Sequence, residues 1–191
     1  MPISSSELDQ MQARLKGVPV CRRDNASNTG KAFEAQIQES INEYRRQGIM
    51  WGVKVDPPTR IVGSGAHRKV IFMPNPLLDF VGVYTSQNGR AMHFEAKSTK
   101  TGRLPLCRAG GITPTQVGTI RALLQAQAIV FVLWRINEPK PMRTLLISGR
   151  HILHLNENMR ASVLPGDGYE IEPNVGLVPV DFVGVMAMTA L

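Results

Sequence analysis

Residues 79–99 read DFVGVYTSQNGRAMHFEAKST, and the way this stretch folds decides the architecture of the chain. Two runs rich in β-branched and aromatic residues flank Asn88-Gly89, a strong turn signal, so the stretch predicts an antiparallel hairpin. Its first five residues, DFVGV, recur at 181–185. The first copy is followed by a returning strand that carries Glu95 and Lys97; the second is followed by MAMTAL, which brings no charged group.

Register determines whether the polar residues of the hairpin can act together. A two-residue Asn88-Gly89 loop would set Val81 opposite Ala96 and leave Asp79 on the other sheet face from Glu95 and Lys97. A three-residue loop, Gln87-Asn88-Gly89, with Gly89 left-handed as in a G1 bulge, sets Asp79 opposite Lys97 and Val81 opposite Glu95. The apolar pattern selects the second arrangement, because Phe80 and Tyr84 then share a face with Met92, Phe94 and Ala96. The expectation is this loop, or a bulge with the same effect on facing.

Asp79 and Glu95 on one face form a pair of hard oxygen ligands suited to Mg²⁺ or Mn²⁺. A divalent ion there would polarise a phosphodiester and lower the pKa of a bound water, and Lys97 would orient the nucleophile or stabilise developing charge. An Asp followed by a distant Glu-x-Lys has many chance matches; placement on a hairpin makes it more specific. Asp181 lacks such neighbours. The second copy reads as a C-terminal strand with a structural aspartate.

Outward from the hairpin, Phe33, Ile37, Ile41 and Tyr44 recur at helical spacing ahead of Gly48, which predicts a helix of about five turns. A strand, IMWGVKV, follows and stops at Pro57-Pro58. Residues 59–74 read as a projecting hairpin or loop with His67, Arg68 and Lys69 at its basic tip. Thr113-Pro114 opens a second helix, with Thr113 as N-cap, that leads into the strand AIVFVLWRI. Further strands are expected at RTLLISG and GLVPVDFVGV. The predicted fold class is α/β, a mixed central sheet flanked by helices, with a single domain over 28–191 and a polar, partly ordered arm over 1–27 that holds a short helix at SSELDQMQARLKG.

A chain of 191 residues with 43% hydrophobic and 19% charged residues is folded and not disordered. Its net charge of +7 favours a polyanionic partner, nucleic acid first. Cys21 and Cys107 belong to no CxxC or Cys/His cluster, which argues against a disulfide framework or a zinc site. No transmembrane run or export signal is recognisable, so a cytoplasmic setting without a membrane partner is expected.

The ordered set NTGKAFEAQIQESINEY, KVDPPTRIV, DFVGVY, FEAKST, LPL and TPTQ leading to AIVFVLW resembles the RecU-type Holliday junction resolvases of the PD-(D/E)xK nuclease superfamily. The likeness runs from Asn28 to Ile136. It implies Asp79 and Glu95 as metal ligands, with the backbone carbonyl of Ala96, and Lys97 as the catalytic lysine. Glu34 matches the acidic residue of the first helix that supports a metal-bound water, and Gln116 matches a glutamine at the start of the second helix. For Gln116 a capping box with Thr113 is the competing reading; for Lys54, which falls where the family has a lysine near DNA, it is a snorkelling strand lysine.

The resemblance also makes 59–74 a stalk that presents His67, Arg68 and Lys69 to DNA, and implies an endonuclease that resolves four-way junctions by paired symmetric hydrolysis. Two symmetric nicks call for a two-fold homodimer. The alternatives are a nuclease of the same fold acting on other branched or duplex DNA, and a DNA-binding module whose nuclease core is only structural.

Overall fold

A computed structural model describes residues 25–73, 77–172 and 177–188. The short helix expected in the N-terminal arm and Pro74 at the end of the stalk lie outside the described residues. Helix α1, Asn25–Arg46, precedes strand β1, Met50–Lys54. Strands β2, Thr59–Val62, and β3, Lys69–Phe72, follow, then β4, Phe80–Tyr84, and β5, Arg90–Thr99. Beyond a short β6, Leu104–Pro105, come α2, Pro114–Gln125, β7, Ile129–Ile136, and β8, Arg143–Ser148. Helix α3, Gly149–Glu157, β9, Ser162–Val163, β10, Tyr169–Ile171, and α4, Phe182–Met188, complete the order.

Six strands form one mixed sheet in the order β1-β4-β5-β7-β8-β10, with β5 and β7 parallel and the other neighbours antiparallel. The period-2 alternation of side chains gives this sheet two buried faces. On one, α1 lays Phe33, Ile37 and Ile41 over Phe80, Phe94 and Phe131. On the other, Val117 and Ile120 of α2 and Ile152 and Leu155 of α3 cover Val130, Val132, Trp134, Leu145 and Ile147. The three phenylalanines stack across β4, β5 and β7 with centroids 4.9 and 4.7 Å apart, which binds the central strands into one rigid plate.

Two glycines have jobs that need glycine. Gly48 ends the turn after α1 with φ +70°, left-handed backbone that disfavours a side chain. Gly82 lets β4 lie close against β1, since a Cβ there would stand 2.3 Å from the Trp51 carbonyl oxygen. Gly82→Ala would force the two strands apart.

The hairpin corrects one expectation in detail. Its connection is five residues long: a 3₁₀ turn over Thr85–Gln87, then Asn88 at φ 56° and Gly89 at φ 73°. Tyr84 pairs with Arg90 and Val81 with His93, two positions away from the expected register. Thr85 leaves the strand early because its N–H donates to the Ile49 carbonyl at 3.1 Å and its hydroxyl to the Gly48 carbonyl at 2.7 Å, tying it to the α1–β1 turn. A shift of two keeps every side chain on its expected face. Phe80, Tyr84, Met92, Phe94 and Ala96 are all buried on the α1 side.

The second DFVGV copy overturns an expectation outright, since it forms α4 and not a strand. The first copy has ladders on both sides, from β1 and β5. At the second copy Asp181 accepts the Gly184 N–H at 3.1 Å as a helix cap and the Tyr44 hydroxyl at 2.7 Å, and Phe182 inserts among Tyr44, Phe94 and Phe131. Tertiary context overrides the local preference of an identical string.

The segment expected to form the stalk is a separate antiparallel ribbon of β2 and β3, with a 3₁₀ turn at Gly65–His67 between them. His67, Arg68 and Lys69 are exposed at its tip. Among the described residues no helix is long and apolar enough to cross a membrane.

Candidate active site

Asp79 precedes β4 and Glu95 lies in β5, and each reaches the other's strand. The Asp79 N–H donates to Glu95 Oε2 at 3.2 Å, and the Ala96 N–H donates to Asp79 Oδ2 at 3.1 Å. Glu95 is 1% exposed. Two residues further along the same face, Lys97 Nζ stands 2.6 Å from Glu95 Oε1. From above, Gln116 in the first turn of α2 donates its Nε2 to the same oxygen at 2.5 Å.

Gln116 makes the capping box and also reaches the acidic pair. Its Oε1 accepts the Thr113 N–H at 2.9 Å while Thr113 Oγ1 accepts the Gln116 N–H at 3.3 Å, a reciprocal capping box. The cap therefore aims the remaining amide nitrogen at Glu95.

Burial pushes the Glu95 carboxyl up to about 7, the negative charge of Asp79 adds to the rise, and Lys97 opposes it without cancelling it. Two adjacent acids, one of them desolvated, disfavour being charged together. A divalent cation would relieve that conflict, so the donor set fits a hard ion held by one or two carboxylates with water and a phosphate completing its shell. Among the described residues no group of three or more His, Cys, Asp or Glu converges. The candidate centre is thus the Asp79–Glu95 pair, and the Ala96 carbonyl remains a ligand by resemblance.

Glu34 and Lys54 were named separately from sequence, and the structure joins them. Glu34 projects from α1 to β1, where Lys54 Nζ sits 2.8 Å from its Oε2 and 3.9 Å from Asp56 Oδ1. The bond to Glu34 chiefly raises the Lys54 pKa, with the field of Asp79 a smaller contribution, so the pair lies within electrostatic reach of the acidic centre. Lys54 is partly exposed and has its own carboxylate partner in Glu34. His67, Arg68 and Lys69 stand apart on the stalk and do not join this cluster.

Sequence reading missed Arg135, the one charged residue in the buried strand β7. Its guanidinium lies 4.1 Å from the Phe33 ring centroid and bonds Gln36 and Thr144. A charged residue inside the apolar run IVFVLWRI was the available signal.

A sequence profile of the family described as Recombination protein U matches residues 28–165 of the 191-residue chain. No protein of curated function matches the chain in sequence. Among solved structures, Hjc of Archaeoglobus fulgidus, a Holliday junction resolvase from an archaeal hyperthermophile, is similar at 15% identity over 74% of this chain and 95% of that one. Its TM-score is 0.44. The chain belongs to the recombination protein U family, the Holliday junction resolvases that its motifs resemble.

Proposed function

We propose that this protein is a divalent-metal-dependent endonuclease that resolves four-way DNA junctions by paired, symmetric phosphodiester hydrolysis, acting as a homodimer. The observation that carries the reading is the meeting of Asp79, Glu95, Lys97 and Gln116 on one sheet face, within a chain of this family. Asp79 and Glu95, with the Ala96 carbonyl, would hold Mg²⁺ or Mn²⁺. When bound, such an ion supplies Lewis-acid polarisation of the phosphodiester and a more acidic water.

The protein's own groups do the rest. Glu95, buried and fixed by Lys97 and Gln116, cannot swing away from Asp79. Lys97 is a cation next to the place where negative charge grows on the phosphate, and it stabilises that charge. Glu34, held by Lys54, offers a second acceptor to orient the attacking water. The exposed Arg68 and Lys69, with His67, meet phosphates of the junction, in keeping with the net charge of +7. A two-fold dimer supplies two such sites in matching orientation.

Competition between a labelled four-way junction and excess linear duplex of the same sequence, with Mg²⁺ or with EDTA, tests the reading. Nicks confined to the junction, abolished by chelation, support it. Equal cutting of both DNAs points to a general nuclease of this fold, and tight binding without cutting points to a non-catalytic module.

A further inference from the structure

Arg135 presents a physical problem. Its side chain lies on the α1 face of the sheet, against Phe33, with Nη1 donating to Gln36 Oε1 and with Nε and Nη2 each 3.3 Å from Thr144 Oγ1. Among the described residues no carboxylate lies within ion-pair distance of it. Glu172, exposed, lines with Arg135, Gln36 and Thr144 a cavity of about 160 Å³. Burial alone lowers the guanidinium pKa to about 10, so the group is still a cation at neutral pH. A buried charge with only neutral partners is a poor device for stability, and an apolar side chain of similar length would pack on Phe33 at less cost.

What a guanidinium adds is direction, because its planar fork holds several acceptors at fixed angles. The two α1 residues it grips, Phe33 and Gln36, straddle Glu34 in sequence. Glu34 leaves the helix towards β1, where it meets Lys54, while Gln36 leaves it towards β7 and β8, where it meets Arg135. Thr144 anchors the fork to β8. The grip adds to the buried stripe of Phe33, Ile37 and Ile41 in setting the rotation of the helix about its own axis, and that rotation bears on where the Glu34 carboxylate stands.

We propose that Arg135 is a positioning residue for Glu34: by gripping Phe33 and Gln36 it sets the place of the Glu34–Lys54 pair where α1 meets β1. The inference rests on the nuclease reading above. Arg135 touches neither DNA nor the acidic centre in this scheme; it acts through Glu34.

The test uses Arg135→Lys and Gln36→Leu, each made in the wild-type chain and in Glu34→Gln, with junction cleavage at saturation, junction Kd and melting temperature measured for all. In the wild-type background kcat should fall roughly 10- to 100-fold, the range expected for a misplaced positioning group, with Kd within about twofold. In the Glu34→Gln background the same substitutions should change kcat by less than about twofold, because the coupled partner is already gone. Equal losses in both backgrounds, or a loss that appears in Kd and not in kcat, would overturn the proposal. If Arg135→Lys melts below the assay temperature, Gln36→Leu, which removes a single hydrogen bond, carries the same expectations and the same contrary result. Absence of metal-dependent cleavage by the wild-type chain would show the nuclease reading itself to be wrong and would remove this inference with it.

Discussion

The side-chain amide of Gln116 bonds two elements at once: Oε1 accepts the Thr113 N–H at 2.9 Å, and Nε2 donates to Glu95 Oε1 at 2.5 Å. Helix capping and active-site order thus depend on one residue. Gln116→Glu keeps an acceptor for the cap but sets a third carboxylate against Glu95. The metal-free protein should lose on the order of 1–3 kcal/mol at neutral pH to that contact, and cleavage there should fall roughly 100-fold. Thermal melts and single-turnover cleavage at saturating junction separate the two effects.

Glu95 makes the metal-free protein sensitive to pH in an unusual direction. Its folded pKa, about 7, lies above the unfolded value near 4.5, so the folded state binds the extra proton between those limits. With respect to this group, stability of the metal-free chain should be fully present below pH 4.5 and be lost as pH rises from there through 7, by on the order of 3 kcal/mol at most. Glu95→Gln should remove that slope and melt higher than wild type at pH 8 without metal. Melts in EDTA across pH 5–8 check this, and a wild-type slope that survives in Glu95→Gln would assign it to another group.

The stalk should govern affinity and not chemistry. Arg68→Ala with Lys69→Ala removes two exposed cations from the ribbon tip. Junction binding should weaken, and the slope of log affinity against log salt should become shallower by about 2, since each phosphate contact contributes roughly 0.9. The single-turnover rate at saturation should change little. Binding isotherms at several salt concentrations decide it.

Much of this was legible in the sequence because the signals were redundant. The face shared by Phe80, Tyr84, Met92, Phe94 and Ala96 fixed the side on which Asp79 and Glu95 lie, and that survived a two-position shift in register since side chains alternate with period 2. The shift itself depends on Thr85 bonding the Gly48 and Ile49 carbonyls, contacts 37 and 36 residues away in sequence that no local pattern carries. The same holds for Glu34 with Lys54 and for Arg135 with Gln36, pairs made only when α1 settles on the sheet. The helical second copy of DFVGV is the clearest case: there Asp181 bonds Tyr44, 137 residues away in sequence, and among the described residues no strand pairs with it.

That pair of identical strings also provides the most direct test of the central claim. Asp79→Asn and Asp181→Asn change the same residue in the same pentapeptide, once in the acidic centre and once in a helix cap. Cleavage of a labelled four-way junction in Mg²⁺, with junction affinity measured alongside, should find Asp79→Asn inactive yet still able to bind. Asp181→Asn should cleave at close to the wild-type rate, and Asp181→Ala should do so while losing about 1–2 kcal/mol of stability with its cap and its Tyr44 bond. Cleavage by Asp79→Asn at the wild-type rate would contradict the assignment of the Asp79–Glu95 pair as the catalytic centre.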